Sequence, residues 1–442
     1  MSKSYKLEDV GKPNLYRKIF PYAEFPKATF NKQKVALEIP KKIWITDTTF
    51  RDGQQARPPY KPEQILKIYD LLHAIDGGTG LIRQCEFFLY SERDREAIEL
   101  CKERRYKFPQ ITGWIRAVAE DFKLVSNMGL DETGILTSAS DYHIFLKLRK
   151  TRVQAMNAYL DIVKTALDSN VIPRCHFEDI TRADYKGFVL PFAAQLMKLS
   201  EEYDRPVKIR LCDTLGFGLP WAHASLPRGV PKLVNGLRQA GVPSEWLEWH
   251  GHNDFHKVQV NAAAAWLYGC CATNTAIFGC GERTGNPPLE AMVVEHAQLK
   301  GMTKGVNYNA ITELAEYAKK ELSFEIPRNY PLVGRDFNIT RAGIHADGLL
   351  KNEEIYNCFN TQKLLNRPVG VAITDKTGAA GIKHWVETKF DIVIPKHDPR
   401  ITQIKDRIDA EYAADRVSMI SDEEMFEWTQ EAFSGNLPPL KE

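Results

Sequence analysis

Trp246-Leu247-Glu248-Trp249 runs directly into His250-Gly251-His252-Asn253-Asp254. A short apolar run that ends in glycine and polar residues reads as a strand stopping at a functional edge. In extended chain, residues two apart share a side, so the imidazoles of His250 and His252 emerge together at the strand's end. Neutral imidazole is the commonest protein metal ligand. A lone pair of histidines could equally be two satisfied polar groups, and two further segments decide between these readings. Lys42-Ile43-Trp44-Ile45 leads into Thr46-Asp47-Thr48-Thr49-Phe50-Arg51-Asp52-Gly53-Gln54-Gln55, which places a fixed cation and a hard oxygen ligand after a strand. Thr275-Ala276-Ile277-Phe278 leads into Gly279-Cys280-Gly281-Glu282-Arg283-Thr284-Gly285-Asn286. Turn chemistry alone does not account for polar, Gly-rich stretches directly after three separate strands.

Working outward, strand-like and helix-like patterns alternate from Lys42 onward. Strands are expected at 43–46, 81–87, 111–116, 132–136, 171–177, 207–212, 246–250 and 275–278. Helical spacing links Ile65, Ile68, Leu72 and Ile75, and again Val153, Met156, Leu160, Val163 and Leu167. Eight strands alternating with helices predict an α/β fold with a parallel sheet closed as a TIM (β/α)8 barrel over 42–305. An open doubly wound sheet would gather its ligands at one switch crevice. The polar motifs instead follow the first, fifth, sixth, seventh and eighth strands, which suits the mouth of a barrel. Residues 1–41, with Pro13, Pro21, Pro26 and Pro40, read as an N-terminal arm over the surface. Residues 306–442 read as a mostly helical C-terminal subdomain, with helical patterns at 311–322, 362–365 and through much of 398–425. One polar segment interrupts it, Thr340-Arg341-Ala342-Gly343-Ile344-His345-Ala346-Asp347-Gly348.

The chain has 442 residues, 43% hydrophobic and 26% charged, an ordinary globular composition. The 59 basic and 57 acidic residues leave a net charge of +2. Such balance gives no support for a nucleic acid or a membrane surface as partner. No stretch approaches the roughly 20 apolar residues of a membrane span, and the start of the chain lacks a secretory apolar core. The eight cysteines carry no C-x-x-C pairing, and read as buried thiols in a reducing cytoplasm. Cys280, in a motif loop, reads as a small core residue.

Asp52, His250, His252 and Asn286 form a candidate ligand set for Mn²⁺, Mg²⁺, Fe²⁺, Co²⁺ or Zn²⁺. The set contains no thiolate, so a structural zinc cluster is not expected. Phe177-Glu178-Asp179-Ile180-Thr181-Arg182 follows the fifth strand. Glu178 is a candidate base or an orienting carboxylate; whether it shares the inward side of His176 is left open by sequence. Asp179 and Arg182 read as a structural pair. Cys212-Asp213-Thr214-Leu215-Gly216 follows the sixth strand, with Thr214 a candidate for binding a carboxylate oxygen and Asp213 a cap or a functional group in equal measure. Arg116, at the end of the third strand, either clamps a carboxylate with two parallel hydrogen bonds or pairs with a neighbouring loop. His143 either points inward or lies exposed. The glycine run at 279–285 lacks the Lys-Ser/Thr of a P-loop and the third glycine of a dinucleotide fingerprint, which excludes nucleotide hydrolysis and NAD binding.

Together these motifs resemble the DRE-TIM metallolyase superfamily over residues 42 to about 350, and within it the Claisen-condensing branch of 2-isopropylmalate, homocitrate, citramalate and Re-citrate synthases. The resemblance implies a TIM barrel with its site at the carboxyl ends of the strands. It implies a divalent metal, Mn²⁺ first and Mg²⁺, Co²⁺ or Zn²⁺ as alternatives, on Asp52, His250 and His252, with Asn286 beside it or bound to it. Arg51 would stabilise the oxyanion, and Glu178 and Thr214 would contact the oxo acid or the proton-transfer groups. His345 would enolise acetyl-CoA, carried from the tail and often from the other subunit, so a homodimer is expected. Trp114-Ile115-Arg116-Ala117 and Ser140-Asp141-Tyr142-His143-Ile144-Phe145 are most similar to the Re-citrate members. They imply oxaloacetate as second substrate, with 2-oxoglutarate (homocitrate synthesis) next, and with Arg116 at the distal carboxylate and His143 nearby. Gln54 departs from the glutamate of many relatives, which would alter the surroundings of Asp52. Without the long C-terminal regulatory domain of typical 2-isopropylmalate synthases in these 442 residues, leucine-type feedback is not expected.

Overall fold

The computed structural model describes residues 5–341, 343–395 and 397–438. Eight parallel strands close into a barrel in chain order. They are β1 (Trp44–Asp47), β2 (Ile82–Phe88), β3 (Gln110–Ile115), β4 (Glu132–Ser138), β5 (Ile172–Glu178), β6 (Lys208–Asp213), β7 (Leu247–Gly251) and β8 (Ala272–Thr275). Around them run α1 (Pro62–Asp76), α2 (Glu92–Glu103), α3 (Phe122–Asn127), α4 (Arg152–Asp168), α5 (Leu190–Glu202), α6 (Val230–Gln239), α7 (Val258–Leu267) and α8 (Leu289–Lys300). Helix α1 shows the local logic. Pro62 opens it, its apolar residues Ile65, Ile68, Leu72 and Ile75 are buried, and Gly77 in the left-handed region at φ 58° stops it.

Alternation along the strands separates two chemistries. The faces turned to the helices are apolar: Ile45, Cys85, Ile135, Cys175, Phe177, Ile209, Leu211 and Trp249 are fully buried. The inward faces are charged. Arg210 lies 2.8 Å from Glu86 and 2.5 Å from Glu248, and Lys208 lies 2.6 Å from Glu132, which also pairs with Arg174. Buried charges persist only when paired and hydrogen-bonded. The lower barrel is therefore an ionic lattice, and the functional rim stands on it.

The eighth strand corrects the sequence reading. It spans Ala272–Thr275, and Trp44 to Asp47 of β1 pair with Ala272 to Thr275. The apolar stretch expected as strand is instead the loop beyond it, where Ile277–Gly279 makes a tight turn with Phe278 at φ 51°. Ile277 is fully buried as a plug under this loop. Hydropathy alone favours Ile277 and Phe278; the inward face of a polar barrel favours Ala-Thr-Asn-Thr.

Residues 5–41 contain no helix or strand and make only the isolated bridge Phe30↔Ala224. Residues 8–31 lie on the loops that follow β4, β5 and β6, and Glu38 and Pro40 meet the ends of α6, α7 and α8. Asn14 N donates to Asp141 Oδ2 at 2.7 Å, Tyr142 Oη donates to Leu15 O at 2.7 Å, and Arg152 Nη1 donates to Glu8 O at 2.9 Å. Further along, Arg228 Nη1 donates to Pro26 O at 3.0 Å.

The chain divides into two compact units, one ending at Asn307 and one beginning at Tyr308. The second unit holds α9 (Asn309–Glu321), β9 (Ile339–Thr340), α10 (Gly343–Lys351), α11 (Thr361–Leu365), β10 (Gly370–Val371), α12 (Ala379–Phe390), α13 (Pro399–Ala413) and α14 (Asp422–Ala432). Its own core gathers Ile382, Trp385, Val386 and Phe390 of α12 with Ile404 and Ile408 of α13 and Met425 and Trp428 of α14. The barrel with its arm and mostly helical tail is the architecture expected from the strand–helix alternation. Helices α10 and α12 are additions to it. Six of the eight free cysteines are buried, but Cys280 is only partly so and Cys358 is exposed, which corrects the reading of all eight as buried thiols. Among the described residues, no helix is long and apolar enough to cross a membrane.

Candidate metal centre and active site

The loop after β1 builds the first half of the site. Thr48 O accepts from Arg51 N at 3.0 Å and from Gly53 N at 3.1 Å, a wide turn that buries Arg51 and Asp52 at the barrel mouth. Gly53 is required because a Cβ there would meet Cys280 Sγ at 2.9 Å. Burial opposes the Asp52 charge, but the Arg51 guanidinium beside it outweighs that cost and holds the carboxyl below the usual range.

β7 supplies the histidines. Their side chains are both buried, and with Asp52 they offer three ligand atoms within 4.8 Å of one another. Each tautomer is fixed from behind. His250 Nδ1 lies 2.7 Å from Asn274 Oδ1, and His252 Nδ1 lies 3.3 Å from Glu282 O, so both Nδ1 atoms donate. The two Nε2 lone pairs then face each other at 3.2 Å. Two convergent lone pairs beside a carboxylate repel unless a cation lies among them. The β8 loop adds Asn286, whose Nδ2 donates to Asp52 Oδ2 at 2.6 Å while its buried Oδ1 has no hydrogen-bond partner. Gly281 makes that approach possible, since a Cβ there would lie 2.1 Å from Asn286 Nδ2. An orphaned carbonyl oxygen, two imidazole nitrogens and a carboxylate fit a divalent ion that takes mixed nitrogen and oxygen ligands.

Sequence reasoning missed Glu86. This buried carboxylate accepts from Arg51 Nε at 2.8 Å, from Arg210 Nη1 at 2.9 Å and from Thr48 Oγ1 at 3.1 Å. Burial opposes its charge, yet Arg210, Arg51 and His176 hold its carboxyl well below the usual range. Arg51 is thus fixed from two sides, by Glu86 and by Asp52 Oδ1 at 2.9 Å, with its guanidinium 5.6 Å from the Trp114 ring. The available signal was a carboxylate on the inward side of a barrel strand, two residues from Gln84.

Glu178 shares the inward side of His176, since both belong to the same alternate set of β5 and their register partners Cys212 and Arg210 line the barrel. It forms a second cluster with His143, whose Nδ1 lies 2.9 Å from Glu178 Oε2, with the Ser138 hydroxyl, and with Lys147 Nζ at 3.3 Å from both oxygens. Burial opposes the charge, but His143, Ser138 and Lys147 hold the carboxyl at about 2. His143 therefore points inward. Its neighbour Asp179 pairs with Arg182 Nε at 2.9 Å, the structural pair expected.

The other expected residues are placed as follows. Thr214 Oγ1 accepts from Asp179 N at 2.8 Å and donates to Cys212 O at 3.4 Å, so its hydroxyl organises the rim. Asp213 accepts from Thr181 Oγ1 and from Gly218 N, both at 2.8 Å, which is turn architecture. The Arg116 guanidinium meets Asp121 through two hydrogen bonds of 2.9 and 3.0 Å, and its side chain is 62% exposed. The structure therefore takes the neighbouring-loop alternative for Arg116. Gln54 bridges Phe50 O and Tyr60 N rather than touching Asp52. Burial pushes the Cys280 thiol up, which keeps it protonated and inert. His345 is exposed on α10 of the second unit, its ring centroid 4.3 Å from that of Tyr356.

This geometry agrees with what the chain is similar to. The HMGL-like family profile matches residues 42–317. The chain is 54% identical over 95% of its length to a Citrate (Re)-synthase of Syntrophus aciditrophicus, covering 68% of that protein. It is 53% identical over 96% of its length to the Citrate (Re)-synthase of Clostridium kluyveri, covering 95% of it. Among solved structures, hydroxymethylglutaryl-CoA lyase from Pseudomonas aeruginosa shares the fold at a TM-score of 0.52 and 17% identity, over 65% of this chain and 95% of that one. A closed barrel with an Asp–His–His cluster at its mouth, and a sequence profile spanning that whole barrel, place the chain in the HMGL-like, DRE-TIM family.

Proposed function

We propose that the protein is a metal-dependent Claisen synthase that condenses acetyl-CoA with oxaloacetate to give citrate and CoA, and that it works as a homodimer. One observation carries the reading: the converging Nε2 atoms of His250 and His252 beside Asp52 and Arg51, with the His143–Glu178 pair on the same rim. The similarity above 50% to two Citrate (Re)-synthases supports the choice of oxo acid. Asp52, His250, His252 and the Asn286 carbonyl oxygen would hold a divalent ion, Mn²⁺ in this proposal, which would supply Lewis acidity at the oxo acid's carbonyl. Arg51, locked by Glu86 and Asp52, keeps a cation where negative charge develops on that carbonyl oxygen. His345 takes a methyl proton from the acetyl thioester. Glu178, held at about 2, is too weak a base to do so, and instead orients His143 and the substrate. The enolate carbon forms the new C–C bond to the oxo carbon. Water then cleaves the thioester, releasing citrate and the CoA thiol.

Purified protein with Mn²⁺ and acetyl-CoA should release free thiol fastest with oxaloacetate. Faster release with 2-oxoglutarate or 2-oxoisovalerate overturns the assignment. His345→Ala should abolish turnover while leaving Mn²⁺ binding intact.

A further inference from the structure

Resting on that reading, we infer that Lys147 is the cation that receives the distal carboxylate of the oxo acid and so selects a dicarboxylic substrate. Ser138, Glu178, Cys212 and His250 are successive register partners on β4, β5, β6 and β7. Register partners in a parallel sheet face the same way at roughly 4.8 Å spacing, so Glu178 stands about 10 Å round the rim from His250. The arc from β7 through β8 to β2 is filled by His250, His252, Asn286, Asp52, Arg51 and Glu86. The far end of a short acid whose carbonyl lies beside Arg51 is therefore directed towards β4 and β5.

That side has space. A cleft of about 290 Å³ lies between the end of β4 and α4, lined by Ser138, Lys147 and Lys150 and by Ala155, Tyr159 and Ile162 of α4. Of the neighbouring cations, Arg116 is committed to Asp121, and Arg182 to Asp179 with its guanidinium 3.9 Å over the Tyr142 ring, while Lys150 lines the cleft without pairing to the rim carboxylate Glu178. Lys147 differs. Its side chain is 51% exposed, yet its Nζ is already turned onto the rim at Glu178. An ammonium has three donors, so it can hold Glu178 and accept a second carboxylate together. The turn that aims it is fixed at both ends, by Tyr142 Oη on Leu15 O at 2.7 Å and by Leu148 N donating to His143 O at 2.8 Å.

The test compares oxaloacetate with 2-oxobutanoate, which matches its chain but lacks the second carboxylate, in the wild type, Lys147→Met and Lys147→Arg. Loss of one charge-assisted contact predicts a KM for oxaloacetate raised roughly 10- to 100-fold in Lys147→Met. The value for 2-oxobutanoate, read as KM or as an inhibition constant, should change less than about threefold, and Lys147→Arg should restore most of the discrimination. If Lys147→Met shifts both acids alike, or moves the pH profile of kcat with no change in discrimination, the lysine only tunes Glu178 and the inference fails. A wild type that prefers a monocarboxylic oxo acid overturns the substrate reading itself, a result separable from the first because it appears before any substitution.

Discussion

At the scale of single residues, the site works by fixing hydrogens from behind. Asn274 Oδ1 decides which nitrogen of His250 carries the proton, and so which lone pair enters the site. Asn274→Leu should weaken Mn²⁺ affinity 10- to 100-fold, measured by chelator competition, with the fold intact. Unchanged affinity would show that the tautomer is set elsewhere. Glu178 carries a pH signature. Its pKa falls from 4.5 to about 2 on folding, so its ionised form stabilises the native state. That stability is complete above roughly pH 5 and is lost as pH falls towards 2. The urea midpoint of the wild type should exceed that of Glu178→Gln at pH 7, and the gap should close near pH 2.5. The histidines, Asp52 and Glu178 stood out in the sequence because each lies at or just past the end of a strand within an unusual polar run. Glu86 did not. A carboxylate in mid-strand has the same letter whether it faces solvent or an arginine, and only closure of the barrel puts Arg51 and Arg210 around it.

Secondary-structure elements set the reach of each side chain. Alternation of strand and helix was legible because inward and outward faces differ in composition. The end of β8 was not, since Ile277 and Phe278 are more apolar than the Ala-Thr-Asn-Thr that forms the strand. Arg116 was read correctly as a strand-end arginine, but nothing in the spacing announces that Asp121 follows one turn later to capture it. The loop between β4 and α4 depends on Arg152, whose fully buried side chain pairs with Asp141 at 2.8 Å and with Asp184 at 3.0 Å. Arg152→Leu leaves both carboxylates without their cation and should cost about 3–5 kcal/mol. Urea unfolding measures the loss, and a change below about 1 kcal/mol would mean that the loop holds itself.

Over the whole molecule, the two units each have a core of their own, and the ligand set belongs entirely to the first. Calorimetry should therefore resolve two transitions. Mn²⁺ should raise only the one assigned to the barrel, by an amount growing with the logarithm of its concentration, and a chelator should reverse the rise and stop turnover. A single transition that moves as one would overturn this independence. The arm is held largely through its main chain. Barrel side chains hold it by Glu8 O, Leu15 O and Pro26 O, atoms that every amino acid possesses. Its path is prescribed while much of its spelling is left free, apart from Phe20, which is buried with its ring 5.0 Å from that of Phe217. Mutational drift should accordingly be broad along 8–27 outside Phe20, and narrow at Phe20 and at Arg152, Tyr142 and Arg228, the fingers that grip the arm.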